Sequence, residues 1–184
     1  MLHRPAETSI ADRIGDSAFL VLAAAFLAAC GSGEADTIPG RSQANPLDTE
    51  ETAMVQSLND LRAQEGAPPV RACTTLNVAA SVHSDDMRDR HYSDSVGLDG
   101  STPASRACDA GYQAACGMGA SVAEAVAYGH FDASGTLGQW TQNPSTTATM
   151  TDAAHAAVGV GRSPSGDSAV WTLDLGGVDE ASCD

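Results

Sequence analysis

Five cysteines and five histidines are the residues best suited to chemistry in this 184-residue chain. Cys30, Cys73, Cys108, Cys116 and Cys183 include no C-x-x-C pair. A zinc ribbon or a thioredoxin-type dithiol is therefore unsupported. H-E-x-x-H, G-x-S-x-G and a glycine-rich phosphate loop are all missing from the sequence, which removes the common metalloprotease, hydrolase and nucleotide signatures. Gly117-Met118-Gly119 is a lone G-x-G without a third glycine. Ser/His/Asp sets can be drawn in many ways, and nothing fixes their spacing. The spacing favours thiol modification and disulfides over motif-borne catalysis.

Cys30 closes the string Leu27-Ala28-Ala29-Cys30, directly behind an uncharged apolar run at 18–29. That run is too short for a bilayer, which needs roughly 20 residues, and has the length of a signal-peptide core. The string resembles the lipobox of bacterial lipoproteins. It predicts a signal peptide over 1–29, cleaved before Cys30, and acylation of that cysteine. Two or more acyl chains anchor stably, at about 0.8 kcal/mol per buried methylene. The n-region departs from the usual pattern, because Glu7, Asp12 and Asp16 offset Arg4 and Arg13. Residues 30–47 read as the acylated cysteine and a Gly/Ser/Pro-rich tether, and 48–184 as the folded domain. The predicted location is the cell envelope, held to the membrane through Cys30. Gly31, rather than Asp, follows that cysteine. By analogy with lipoprotein sorting, this favours the outer membrane in a Gram-negative cell.

Four cysteines then remain in an oxidising compartment, enough for two disulfides. Of the three pairings, Cys108–Cys116 with Cys73–Cys183 is favoured. The first closes a small loop, and the second ties the C-terminal tail to the start of a helix.

The formal charge is −15, from 24 acids against 9 bases, and every base is Arg. Such a polyanion is repelled by phosphate backbones and by anionic headgroups, so nucleic acid is not an expected partner. Hydrophobic residues make up 42% and aromatics only 4%. That is a globular composition with a core of Ala, Val and Leu.

The elements that must position these residues follow from periodicity. Met54, Leu58 and Leu61 recur at helical spacing and predict a helix over 49–65, with Gly66 and Pro68-Pro69 beyond it. A second helix is expected over 75–89, with Leu76, Ala79, Ala80 and Met87 inward. Shorter helices are expected over 103–110 and 133–142, the latter ended by Asn143-Pro144. Residues 122–128 read as extended chain or a helical shoulder. Two strands, 155–161 and 169–175, flank a hairpin turn at 164–167. Helices first and a hairpin last suit an α/β fold with an antiparallel sheet covered by helices.

Several strings along the domain carry a resemblance. They begin with Asn59-Asp60-Leu61-Arg62, Gly66 and Pro69, followed by Ala79-Ala80-Ser81-Val82-His83-Ser84-Asp85-Asp86-Met87. Asp99-Gly100-Ser101-Thr102-Pro103, Arg106 and Ala110-Gly111-Tyr112 come next. Trp140, Asn143-Pro144, Val158-Gly159-Val160-Gly161 and Trp171-Thr172-Leu173-Asp174-Leu175-Gly176 complete the set. In this order they resemble the CAP superfamily, or SCP domain, of cysteine-rich secretory proteins, antigen 5 and pathogenesis-related proteins, in its bacterial branch. The resemblance implies a three-layer αβα sandwich around a mainly antiparallel sheet.

It also implies a cleft in which two His and one or two Glu hold a divalent metal in some members. The Glu of the family's G-E-N element falls on Glu124. The histidine positions fall on Asp94, or Ser95 with a one-residue offset, and on Thr146. Both histidines are missing, and no cofactor is expected. His91 near Asp94 is the residue most able to rebuild a site with Asp94 and Glu124, while His83 reads as a helix-packing or capping histidine. Glu124 is the one weak candidate for a catalytic base. Three functions stay open: a non-catalytic binding or interaction module, a small-lipid binder, and an envelope hydrolase. The partner would be an envelope protein, a lipid or a small molecule.

Overall fold

Asp48 starts the first helix, α1 (Thr49–Gln64): its side chain accepts from the Glu51 N–H, and the Glu51 carboxylate reaches back to the Asp48 N–H. This capping box satisfies two donors that a helix start leaves orphaned. The computed structural model describes residues 47–183. The leader, Cys30 and the tether up to residue 46 lie outside the described residues. α2 (Thr74–Arg90) ends at His91, which adopts a left-handed conformation at φ 57°. α3 (Pro103–Asp109) begins with a Thr102–Ser105 capping box.

Among the described residues four strands follow the order β1-β3-β4-β2: β1 (Arg71–Ala72), β2 (Ala123–Tyr128), β3 (Ala157–Ser165) and β4 (Ser168–Gly176). The short β1–β3 pair is parallel, and the β3–β4 and β4–β2 pairs are antiparallel. The stretch at 122–128 resolves as strand. β3 runs four residues further than its sequence pattern indicates. Arg162 and Ser163 are polar yet buried, so polarity does not end the strand. The Arg162 guanidinium stacks 4.1 Å from the centre of the Phe131 ring and 5.6 Å from that of Trp171, while the Ser163 hydroxyl donates to Asp85. Ser165 pairs with Ser168, leaving Gly166, at φ 61°, and Asp167 as a two-residue turn.

Asn143-Pro144 both ends α4 (Ala133–Thr141) and starts a further helix that the sequence reading missed, α5 (Pro144–Thr151). The Asn143 side chain caps the Ser145 N–H, and proline at the first helical position lacks only a donor the helix does not need.

The sheet is covered on both faces, giving the expected αβα sandwich. Met54 and Leu58 of α1, Trp140 of α4 and Met150 of α5 pack on Val158, Val160, Trp171, Leu173 and Leu175. α2 covers the opposite face. Strand alternation turns Val158 and Val160 to the first face and Gly159 and Gly161 to α2. A Cβ on Gly159 would collide with the backbone of Leu76, and one on Gly161 with that of Ala80. The V-G-V-G string therefore fills one core and admits a helix backbone on the other side.

A smaller core of Leu76, Ala79, Ala107, Tyr112 and Val122 joins α2 to α3. Both favoured disulfides are formed, Cys73–Cys183 and Cys108–Cys116. Among the described residues no helix is long and apolar enough to cross a membrane.

Candidate functional site

β2 pairs with β4 so that Glu124 stands opposite Asp174. Alternation sends Ala123, Ala125 and Ala127 into the α1 core, and turns both carboxyls to the α2 face. Directly opposed residues are cross-strand neighbours, with Cβ atoms about 5 Å apart. Two basic residues meet this pair, His83 from α2 and Arg106 from α3. Arg106 Nη2 lies 2.6 Å from Glu124 Oε2, and His83 Nε2 lies 3.7 Å from Glu124 Oε1. The same His83 nitrogen is 2.9 Å from the carbonyl oxygen of Asp94. A carbonyl only accepts, so Nε2 carries the proton and donates it.

Burial sets the protonation of the cluster. Asp174 is 0% exposed, and the Glu124 side chain 1%. Burial pushes the Asp174 carboxyl well above its usual range; the Glu124 charge and a hydrogen bond with Glu124 add to this, and Arg106 opposes it. Among the described residues Glu124 Oε1 and both Asp174 oxygens otherwise have no hydrogen-bond donor. A proton held on Asp174 supplies the one donor the pair needs. Burial also pulls His83 below its usual value, against the charge of Glu124. Burial thus favours the neutral form of both Asp174 and His83, while Arg106 stands in an ion pair with Glu124.

Above it lies a groove of about 350 Å³ between α2 and α3. Val78, Ala79 and Val82 form an apolar wall, His83 and Arg106 the floor, and Asp86, Asp99 and Asp109 an acidic rim. Arg106 also donates to Ser95 O at 3.0 Å and to Ser101 O at 3.1 Å. It thus ties the loop that walls the groove to the acid pair beneath.

The other residues singled out by sequence stand apart. Asp94 is exposed and meets His83 only through its carbonyl, while its side chain accepts from the Val96 N–H. His91 is exposed and lines a separate groove. Thr146 belongs to α5, on the α1 side of the sheet. Among the described residues no three His, Cys, Asp or Glu side chains converge as a metal site. The donor set does not fit the family's metal. Glu124 is held by a guanidinium, and His83 commits its Nε2 proton to a carbonyl. Sequence reasoning treated His83 as packing and left Arg106 and Asp174 out of the site. Alternation in Trp171-Thr172-Leu173-Asp174-Leu175 carries the missing signal, since it faces Asp174 away from the apolar side.

No curated protein sequence matches this chain. Its fold is similar to that of an outer surface protein from Borrelia burgdorferi, at 14% identity and a TM-score of 0.63, over 73% of this chain and 96% of that one. It is also similar to an extracellular protein containing a SCP domain from Bacillus anthracis, at 18% identity and a TM-score of 0.58, over 71% of this chain and 44% of that one. The model of the cysteine-rich secretory protein family, CAP, matches residues 55–175, and this chain belongs to that family.

Proposed function

We propose that this chain is an exported, lipid-tethered envelope protein whose CAP domain binds a ligand in the α2–α3 groove without catalysing a reaction. The closure of the acid pair carries this reading. A general base must come within about 3 Å of the proton it removes. The Glu124 side chain is 1% exposed, and Arg106 occupies one of its oxygens. The hydrolase alternative therefore has no accessible base at this position. Arg106 and His83 form a fixed, neutralised floor, which suits recognition. The wall of Val78, Ala79 and Val82 favours a ligand with an apolar part, in keeping with the small-lipid reading.

Two disulfides support export. The outer-surface and extracellular proteins of similar fold support it too, and the string ending in Cys30 supports the tether. Membrane fractionation tests the tether: Cys30→Ala should move the chain to the soluble fraction or leave the leader uncleaved, and unchanged fractionation with normal processing refutes it. Native mass spectrometry of the chain tests the groove. A co-purifying small molecule lost in Val82→Trp supports binding. Hydrolysis of a model ester or peptide, abolished in a folded Glu124→Gln variant, would overturn the non-catalytic reading.

A further inference from the structure

A second groove, of about 360 Å³, shares no lining residue with the first. It is built from Arg88 at the end of α2, Tyr92 and Ser93 in the loop that follows, Tyr128 at the end of β2, and Ser165 of β3. The chain contains only three tyrosines, and two of them wall this one groove. Tyr128 is 57% exposed, although it ends a strand in which Ala125 and Ala127 are buried. Strand register fixes it opposite Val170.

Tyr92 is held more tightly. Its hydroxyl donates to the Asp86 carboxylate, and its ring lies edge-on to His83 at 6.1 Å. Burial, with Asp86 beside it, keeps this hydroxyl protonated, its pKa pushed up to about 12. Arg88 carries the groove's guanidinium, balanced by Asp85 at 3.1 Å and Asp89 at 2.7 Å.

This chemistry narrows the occupant. A polyanion is repelled by a chain of formal charge −15. A hydrocarbon chain would cover the Ser93 and Ser165 hydroxyls without pairing them, which costs binding. A peptide strand would need the outer edge of β2, but the Trp140 indole N–H already donates to the Val126 carbonyl there at 3.0 Å. A sugar ring offers what remains. Its C–H face is weakly positive and complements an aromatic face, and its rim is hydroxyl. Tyrosine supplies such contact area at low entropic cost. The volume falls within the range of small-ligand sites, about 300–1,000 Å³.

We propose that this groove binds a neutral saccharide, stacked on Tyr128 and Tyr92, with its hydroxyls on Ser93, Ser165 and Arg88. The test uses the full chain, with the trimer of N-acetylglucosamine, cellotriose and maltotriose as probes. Saturation-transfer NMR should show contact between the chain and the ring C–H protons of at least one trimer. Calorimetry should then show an affinity loss of about tenfold in Tyr128→Ala. Tyr128→Phe keeps the ring face and should stay within about twofold of the parent chain. Val82→Ala, in the first groove, should leave binding unchanged. Absence of transfer from all three trimers overturns the proposal. So does unchanged affinity in Tyr128→Ala, or an equal loss in Val82→Ala.

Discussion

Replacing Arg106 by Met keeps a long side chain in place and withdraws the charge. The Arg106 side chain is 8% exposed and Glu124 1%, so solvent cannot screen what is left. The variant leaves a buried carboxylate facing a protonated acid and a neutral imidazole. Removing one member of a buried ion pair costs about 3–5 kcal/mol. The carbonyls of Ser95 and Ser101 also lose their donor, although the loop around them reaches water. Against a typical stability of about 5–15 kcal/mol, this is a large fraction. At a urea slope of about 1.5 kcal/mol per molar, the midpoint should fall by about 2 M or more. Adding Glu124→Leu should restore much of the loss, because the orphaned charge disappears and burial already favours the neutral form of Asp174. A double-mutant cycle on urea unfolding, with both disulfides intact, should give a coupling of about 2 kcal/mol or more. Additive losses, or a cost below about 1 kcal/mol for Arg106→Met, would refute the buried ion pair as the holder of this floor.

Asp174→Asn keeps a donor for Glu124 and removes a titrating group. A carboxyl with a raised folded pKa contributes stability that is fully present below its unfolded value, and that is lost as pH rises through the folded one. The parent chain should therefore gain on Asp174→Asn as pH falls from neutral. Chemical unfolding of both at several pH values checks this, and a constant difference refutes the shared proton. The comparison also cancels His83, whose lowered pKa works the other way in the parent and the variant alike. Gly161→Ala should cost about 3 kcal/mol or more through overpacking, since its new methyl meets the Ala80 backbone rather than a side chain that can turn away. A thermal midpoint within about 2 °C of the parent would show that α2 can lift from the sheet at little cost.

The fold was legible because its signals are local. The apolar stripe of Met54, Leu58 and Leu61 sets α1, and the two-sided alternation of Val158-Gly159-Val160-Gly161 sets β3 and the approach of α2. The cysteine spacing allowed three pairings, and the sequence position of the helix start picked the one formed. α5 was missed because Asn143-Pro144 serves as both stop and start, and a short run of Thr and Ser gives little periodicity to continue from. The end of β3 was missed because Arg162 is buried by a cation–π stack with Phe131, a residue 31 positions away.

The site was harder to read, for a different physical reason. A family pattern marks residues by position, and at the two histidine positions this chain carries Asp94 and Thr146, neither of which reaches Glu124 with its side chain. The pattern does not say what else stabilises a buried Glu once those histidines are gone. That is decided by tertiary electrostatics. One inward carboxyl on β2 faces another on β4, and the pair can remain buried only if a cation and a proton reach it. Arg106 brings the cation from α3, at a residue the sequence flagged for its string and not for its charge. Asp174 keeps the proton. The same guanidinium then fixes the loop at Ser95 and Ser101, so that the lost ligand set and the shaped groove have one cause. In this floor a guanidinium and a carboxylate answer each other from within, and under the proposed function what it offers a ligand is shape, an apolar wall and an acidic rim.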